Sequence, residues 1–516
     1  MQRSIYQYVI LALFSLLFVA SYSQWALYTS NQNTYFVHGL AKAGVGYLQE
    51  DWLAKTTDHL PVFSQLVFVS HEYLSPTVFY WYHALLIGLY IFSLGVIISH
   101  TFKIRYTSLS FVITFAGLTF VHSLVVRALI GRILASGRYE RLFDLFTYGV
   151  ARQYVLGPIF QPSAFGVLLI GSIALFLKKR PIWAVVMACL AGLLHPSMLL
   201  PAMWLMVGYL LLLVKEKGWR YGLLLGGLAF LLALPNVLYA SYHFAPTDAQ
   251  TFQLAQQILV EKRIPHHAKF WHWFGLEAVI QVLLCLLALI AAKQRPRLAT
   301  ILLVLLLGSL TLTLLQLLTG SYTLALLFPW RVSVLLVPIS TALLIGYGSI
   351  QLAKWAIRLQ QSTQRAIWAT GVFFIIGMSL AGITATIIKL QRPDSYFTLI
   401  EWAEEHVKPS DLFLIPPRND EFRLHASVPI FIDEKSHPYK DAEVVEWQHR
   451  VELARSFYDA EADSEACAAL ARIIDDYAIT HIVVDTRTTG QCDELSGSIE
   501  YEDQKYQIMS ISGDNE

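Results

Sequence analysis

Glu50 and Asp51 are adjacent carboxylates in a long polar stretch, 27–76, that separates two apolar segments. A carboxylate there can accept the proton of a hydroxyl group while that hydroxyl attacks an activated carbon, and we assign this catalytic role to Asp51, with Glu50 as its substitute. The same oxygens suit a divalent cation, Mg²⁺ or Mn²⁺, although the sequence assigns no metal-ligand set. The alternative is that both residues cap or solvate a surface helix.

Arginines are concentrated in the stretch 127–161, where only Glu140 and Asp144 oppose them. They are Arg127, Arg132, Arg138, Arg141 and Arg152. A guanidinium group holds phosphate oxygens in a fork geometry and stays charged at any relevant pH, so the excess of arginines favours an anionic ligand. The alternatives are contacts with lipid headgroups and pairing with the two acids.

Arg331 and His195 lie where apolar segments end. A cation at the edge of a membrane span is costly unless it is paired or reaches water, which makes Arg331 a candidate functional residue. His195, in Leu194-His195-Pro196, is a candidate ligand-binding residue. A hydrogen-bonded histidine at the membrane interface is the alternative.

The composition indicates that membrane helices position these side chains. Of the 516 residues, 55% are hydrophobic and only 15% are charged, whereas soluble domains have about 25% charged residues. The mean hydropathy is +0.50. A net charge of +1 disfavours nucleic acid as a partner. The sequence has no Gly-rich nucleotide-binding motif and no His-Glu-x-x-His zinc motif, which disfavours nucleotide hydrolysis and leaves a zinc site unsupported.

Eleven apolar runs are long enough, or nearly so, to cross a bilayer. They are Tyr6 to Ala26, Thr77 to Ser99, Ser108 to Val126, Pro162 to Leu177, Pro181 to Leu194, Met198 to Val214, Tyr221 to Tyr239, Phe274 to Ala292, Ala299 to Leu318, Leu326 to Tyr347 and Ala366 to Ile388. The sequence therefore predicts a polytopic α-helical membrane protein with about eleven spans. The transmembrane domain is 1–391.

Lysines and arginines in alternate short loops predict the orientation, because such loops stay in the cytoplasm. One of these loops contains Lys178, Lys179 and Arg180. With an odd number of spans, the N-terminus is expected inside and residues 392–516 outside a plasma (inner) membrane. The alternative for the first segment is a cleaved signal peptide. The first outer loop, 27–76, is then expected to form one or two amphipathic helices along the membrane surface.

The tail 392–516 has the pattern of a small extracytoplasmic α/β domain. Helices are predicted at Tyr396 to Val407, Glu443 to Tyr458 and Asp463 to Tyr477, and strands at Leu412 to Ile415, Pro429 to Ile432, His481 to Val484 and Tyr506 to Ile511. Loops that follow strands often bind ligands, so Arg418, Asp420, Arg423 and Lys435 are candidates for contacting substrate, with solvated turn residues as the alternative. Cys467 and Cys492 are either bridged or free thiols.

The arrangement resembles the GT-C superfamily of membrane glycosyltransferases. The resemblance rests on the many-spanning body, the acidic Gln49-Glu50-Asp51-Trp52 in a long first outer loop, and the C-terminal α/β domain. It is also similar to bacterial multispanning proteins of unassigned function that have a comparable Leu-His-Pro stretch. Architecture carries the resemblance more than sequence motifs do.

The resemblance implies a polyprenyl-phosphate-linked sugar as donor and a glycan, lipid or protein as acceptor, at the outer face among membrane lipids. Asp51, with Glu50 as its substitute, would act as base or metal ligand. The substrate-binding residues would be Arg127 and Arg331 at the phosphate, His195 orienting the phosphate or the acceptor, and Arg418 and Arg423 closing the site. Two other functions fit the sequence. One is a transporter or flippase for an anionic lipid-linked substrate, which the near absence of charges within the spans disfavours. The other is a non-catalytic envelope-assembly scaffold.

Overall fold

The computed structural model describes residues 2–133, 141–358, 360–391, 397–486 and 497–511. Arg138, Glu140, Tyr396 and Cys492, which figure in the sequence analysis, lie outside these ranges. The chain divides into two compact units. Unit 1 contains Met1–Trp25, Phe79–Leu238 and Ile264–Gln391, and unit 2 contains Ala26–Val78, Tyr239–Arg263 and Arg392–Glu516. Sequence analysis assigned the first two segments of unit 2 to the membrane domain, whereas they fold with the C-terminal tail.

The described residues of unit 1 form helices and connecting segments and contain no strand. Its helices of ten residues or more are Gln2–Ser21, Val78–Phe102, Leu109–His122, Leu124–Ile133, Val167–Leu177, Pro181–Leu194, Leu199–Lys217, Trp219–His243, Leu276–Ala291, Pro296–Thr319, Ser333–Ala356 and Gln361–Gln391. Short helices at Asp144–Thr147, Pro265–Ala268, Phe270–Trp273 and Tyr322–Leu326 connect them, as do 3₁₀ turns at Arg141–Phe143, Val150–Arg152, Pro162–Gly166, Pro196–Met198 and Pro329–Val332.

The protein is a helical membrane protein. Six helical stretches of the described chain are long and apolar enough to span a bilayer, and a seventh is the pair Leu109–His122 and Leu124–Ile130, bent by 60°. Helix Trp219–His243 is hydrophobic yet buries only Gly222 and Leu225, which fits a helix surrounded by lipid. The other four predicted segments are apolar helices of 10–17 residues, so the number of eleven spans stays a prediction.

Close contact between the first and last helices shows how unit 1 is packed. A Cβ atom added to Gly382 would lie 2.4 Å from the carbonyl oxygen of Ala20. One turn away, the Ser379 hydroxyl donates to the Leu17 carbonyl oxygen at 2.8 Å. Small residues that allow backbones to approach are a common basis of helix association in membranes.

Unit 2 combines short helices with one small sheet. Its helices are Gln32–Tyr35, Val37–Lys42, Trp52–Lys55, Pro61–Tyr73, Ala249–Gln257, Phe397–His406, Phe422–Ala426, Asp441–Tyr458 and Asp463–Asp476, with a 3₁₀ turn at Leu48–Glu50 and a π-helix at Ile258–Arg263. Its strands are β1 (Phe413–Leu414), β2 (His481–Asp485), β3 (Gly497–Glu502) and β4 (Tyr506–Ile511). The sheet order is β1-β2-β4-β3, with β1 parallel to β2 and the other pairs antiparallel.

Two local predictions for unit 2 differ from the structure. The first outer loop was expected to form one or two amphipathic helices, whereas it forms several short helices, and Gly44 and Gly46 adopt positive φ angles between them. Its apolar residue Leu48 is fully buried within the protein. The strand expected at Pro429 to Ile432 is reduced to a single bridge between Ile430 and Phe413.

The hydrophobic core of unit 2 lies between the sheet and helix Phe397–His406, and includes Phe413, Phe422 and Ile508.

Cys285 and Cys189 of unit 1 are free thiols. Cys467 is disulfide-bonded.

Candidate functional site

Asp51 is completely buried in unit 2, where it holds two distant chain segments together. Its Oδ2 accepts from Arg423 Nε at 2.9 Å and from the Ile430 N–H at 3.0 Å, and its Oδ1 accepts from the Leu53 N–H at 2.8 Å. The Asp51 side chain has an exposed fraction of 0% and that of Arg423 1%. These contacts engage both carboxylate oxygens of Asp51, and they support a structural role in preference to the predicted role as a base.

Arg423 extends the same ion-pair network to Asp433. Its Nη1 donates to Asp433 Oδ2 at 2.6 Å, so one guanidinium group bridges two buried carboxylates. Burial alone lowers the pKa of Arg423, but the two carboxylates outweigh this effect and the pKa is raised. Arg423 therefore stays charged, and its predicted contact with substrate is replaced by contacts with Asp51 and Asp433.

Asp433 fixes the loop that follows it. Its Oδ1 accepts from the N–H groups of Lys435 at 2.9 Å and Ser436 at 2.5 Å. Burial raises the pKa of Asp433 and the neighbouring Arg423 opposes that shift. Through these bonds the network Asp51–Arg423–Asp433 fixes the backbone position of Lys435.

An open cavity of about 590 Å³ lies beside this loop, in the region that follows β1. Its charged lining residues are Lys262, Arg263, Arg418, Lys435, Arg455, Asp420 and Glu434, and Trp447 adds an aromatic ring. Five cations therefore face two carboxylates. The volume is within the range of about 300–1,000 Å³ that is typical of small-molecule sites.

Internal ion pairs partly order the side chains of this cavity. Lys435 Nζ lies 2.9 Å from Asp420 Oδ2, which also accepts from Asn33 Nδ2 at 3.2 Å. Arg455 pairs with Glu434, and Arg418 lies 3.6 Å from the other oxygen of that carboxylate. Arg418 is 76% exposed, which makes it the most accessible of the four predicted binding residues in the tail, since Lys435 and Asp420 are partly buried and Arg423 is buried.

His437 contacts Arg263 and Lys435, two of the residues that line the cavity. Arg263 Nε donates to His437 Nδ1 at 3.2 Å, and the same imidazole nitrogen lies 3.3 Å from the Lys435 carbonyl oxygen. Burial, followed by the charge of Arg263, lowers the pKa of His437 to about 3. Arg263 Nη2 also donates to the Lys435 carbonyl oxygen at 2.6 Å.

Glu50 differs from its neighbour because it is half-exposed and pairs with Lys55 at 2.8 Å. Such a pair on the surface contributes little to stability, about 0–1 kcal/mol. Glu50 is therefore the member of the predicted catalytic pair that solvent reaches.

Arg331 and His195 are brought together within unit 1. Arg331 Nη2 donates to His195 Nε2 across 3.2 Å, which makes that imidazole nitrogen an acceptor. The turn Pro329–Val332 that contains Arg331 begins after Phe328, whose φ of 50° is a strained value for a bulky residue. Strain of this kind is concentrated at functional sites, so the pair stays a candidate for binding substrate.

Arg127 has partners of its own in unit 1. It pairs with Asp144 at 2.7 Å and donates to the Thr147 hydroxyl at 2.6 Å. Its guanidinium group also lies over the Tyr148 ring, 5.3 Å from the centroid. Its charge is thus balanced by Asp144, as the alternative interpretation of the sequence allowed.

Sequence reasoning did not identify Asp433, which completes the buried network. The signal was available, because Asp433 directly follows the apolar run Val428 to Ile432. Sequence reasoning also did not identify His38, which lies with Asp58 and His59 in a group able to bind a metal ion.

Comparison with known proteins gives one finding. Residues 396–454 match the model of a domain of unknown function, DUF6798. The matched stretch contains Arg418, Arg423 and Asp433, but it is far shorter than half of the chain and its description names no activity. No curated protein matches this chain.

Proposed function

We propose that this protein is a membrane glycosyltransferase that moves a sugar from a polyprenyl-phosphate carrier to an acceptor at the outer face of the plasma membrane. The alternation of basic loops along the sequence supports this orientation, with the N-terminus in the cytoplasm and the C-terminal tail outside. An extracytoplasmic transferase fits a lipid-linked donor, because the carrier delivers an activated sugar without a soluble nucleotide.

The cavity of unit 2 is the observation that carries the proposal. Sugars present hydroxyl groups that both donate and accept, and the cavity offers donors from Arg418 and Lys435 next to acceptors on Asp420 and Glu434. The indole of Trp447 adds an apolar surface, and an excess of three positive charges favours a substrate that carries phosphate. We assign the recognition of the polar part of a substrate to this cavity.

In the proposed reaction, an acceptor hydroxyl oxygen forms a bond to the anomeric carbon of the sugar. The bond between that carbon and the phosphate oxygen breaks, and polyprenyl phosphate leaves. The proton of the hydroxyl passes to Glu50, which is accessible, while Asp51 acts as a positioning residue through Arg423. Arg418, one of the cations that line the cavity, stabilises the negative charge that develops on the leaving phosphate.

The test uses the full-length protein in liposomes with a panel of labelled polyprenyl-phosphate sugars, and follows the release of polyprenyl phosphate. Arg418→Lys keeps the charge but loses the fork of donors, and should lower the rate about 100-fold. Arg105→Lys, at an exposed position, is the matched control and should retain the wild-type rate.

Movement of an intact lipid-linked sugar across the bilayer, without any released polyprenyl phosphate, would instead indicate a flippase. Binding of donor without either process would indicate a scaffold. Each of these two results contradicts the proposed transfer.

A further inference from the structure

His38, Asp58 and His59 form a compact group of metal-binding side chains in unit 2. Each offers one ligand atom, and the three atoms lie within 4.8 Å of one another. His38 lies in helix Val37–Lys42, and Asp58 and His59 lie in the turn before helix Pro61–Tyr73. All three residues are partly buried, so they can bind an ion and still leave it accessible from outside.

The ligand types favour a transition-metal ion of borderline softness. Two imidazole nitrogens and one carboxylate oxygen are a ligand set for Zn²⁺, whereas Mg²⁺ prefers oxygen ligands. Ligands of one tetrahedral Zn²⁺ ion, each at about 2.1 Å, lie roughly 3.4 Å apart. Side-chain rotations that shift each atom by about 1 Å would therefore close the site.

The surrounding contacts hold this group in place. The Leu60 N–H donates to Asp58 Oδ1 at 2.8 Å, and the Tyr239 hydroxyl donates to the Asp58 carbonyl oxygen at 2.6 Å. Tyr439 packs on His59 with ring centroids 4.1 Å apart. Tyr239 and Tyr439 come from the other two segments of unit 2, so all three segments converge at this group. Such outer contacts orient metal ligands and limit their rotation.

We propose that His38, Asp58 and His59 bind one Zn²⁺-type divalent cation with three protein ligands and an open fourth position. Three protein ligands are the arrangement of metal sites that take water or an anionic oxygen atom as the remaining ligand. The inference differs from the Mg²⁺ or Mn²⁺ expected at Glu50 and Asp51, and it stands whether or not the protein transfers sugars. Because three segments meet here, the bound ion also stabilises unit 2.

The experiment measures metal binding by the full-length protein in detergent. The protein is purified with an affinity tag that contains no histidine, is stripped with a chelator, and is titrated with Zn²⁺ against a chromophoric competitor. One equivalent of Zn²⁺ should bind, and Mg²⁺ should not compete. Co²⁺ in place of Zn²⁺ should give a visible absorption spectrum typical of nitrogen and oxygen ligands.

Two variants and one control make the result specific. His38→Gln and Asp58→Asn should each weaken Zn²⁺ binding at least about 100-fold, which exceeds the 10- to 100-fold effect usual for outer-shell partners. The amide oxygen introduced by Asp58→Asn can still accept from the Leu60 N–H, so this variant tests metal ligation with the turn retained. His71→Ala changes a histidine of the same segment outside the group and should bind as the wild type does.

The proposal also predicts that Zn²⁺ raises the unfolding temperature of the wild type and of His71→Ala but not of the two ligand variants. A wild-type protein that takes up no Zn²⁺ at micromolar concentration would overturn the proposal. Equal Zn²⁺ affinity in wild type and Asp58→Asn would do the same.

Discussion

Replacement of Asp51 by Asn separates the structural role of this residue from the catalytic one. The amide has nearly the same shape and keeps the Oδ1 acceptor for the Leu53 N–H, so the helix cap survives. What is lost is the negative charge next to Arg423, whose side chain is 1% exposed. Arg423 keeps its pair with Asp433, but the amide nitrogen that replaces Oδ2 cannot accept from Arg423 Nε or from the Ile430 N–H. The loss of these two buried hydrogen bonds, one of them to a charged group, costs about 3–5 kcal/mol.

This loss of stability would raise the equilibrium constant for local unfolding of residues 423–436 by between about 10²- and 10⁴-fold. Hydrogen exchange followed by mass spectrometry on the full-length protein in detergent measures this quantity in peptides that cover residues 423–436. Protection there should fall by that factor in Asp51→Asn. The neighbouring variant Glu50→Gln removes only a surface pair, so protection should change by less than about fivefold.

A double-mutant cycle with Arg423→Met identifies the partner. The combined variant should be less destabilised than the sum of the single variants, by about 0.5–3 kcal/mol, because each single variant already loses the contact between residues 51 and 423. Unchanged protection of residues 423–436 in Asp51→Asn, together with loss of sugar transfer, would refute this reasoning and restore Asp51 as the base.

Three further predictions concern stability, measured by thermal unfolding in detergent. His437 is neutral when folded, with a pKa of about 3, and takes up a proton on unfolding below its ordinary pKa of about 6.5, so stability falls with acidification. Between pH 7 and pH 5.5 this should cost about 1 kcal/mol, which His437→Gln should abolish. Gly382→Ala should destabilise unit 1 by about 1–3 kcal/mol through overpacking, whereas Gly377→Ala, with no atoms within 4 Å, should not. Burial raises the pKa of Asp441, but hydrogen bonds from Thr247 outweigh this effect and the pKa is lowered. Thr247→Val loses the hydroxyl bond of 2.7 Å and should lower the free energy of unfolding by about 1.5–3 kcal/mol at pH 7. The difference from wild type should shrink as the pH falls below about 4, because the Asp441 carboxylate is then protonated.

The sequence predicts elements well where hydrophobic periodicity is strong. All eleven apolar segments contain helices, and β4 has the predicted bounds, Tyr506–Ile511. By contrast, β3 was missed because its side chains are almost all exposed and show no apolar alternation. The short helices of the first outer loop depend on glycine φ angles that periodicity does not report.

The candidate site was harder to predict, because its partners are distant in sequence. Asp51 and Arg423 are 372 positions apart, and neither residue type indicates that the other lies beside it. A buried aspartate bonded to an arginine and an accessible catalytic aspartate have the same sequence signature. The pair of Arg331 and His195 illustrates the same limit, because each was named as a candidate and only the fold places them 3.2 Å apart.

The most direct test of the proposed function is the stoichiometry of a single turnover. The reconstituted protein, in excess over a labelled polyprenyl-phosphate sugar and supplied with acceptor, is stopped at intervals and both products are quantified by mass spectrometry. Glycosyl transfer predicts equal amounts of polyprenyl phosphate and of glycosylated acceptor. Intact donor at all times, in protein that has bound it, would contradict the account.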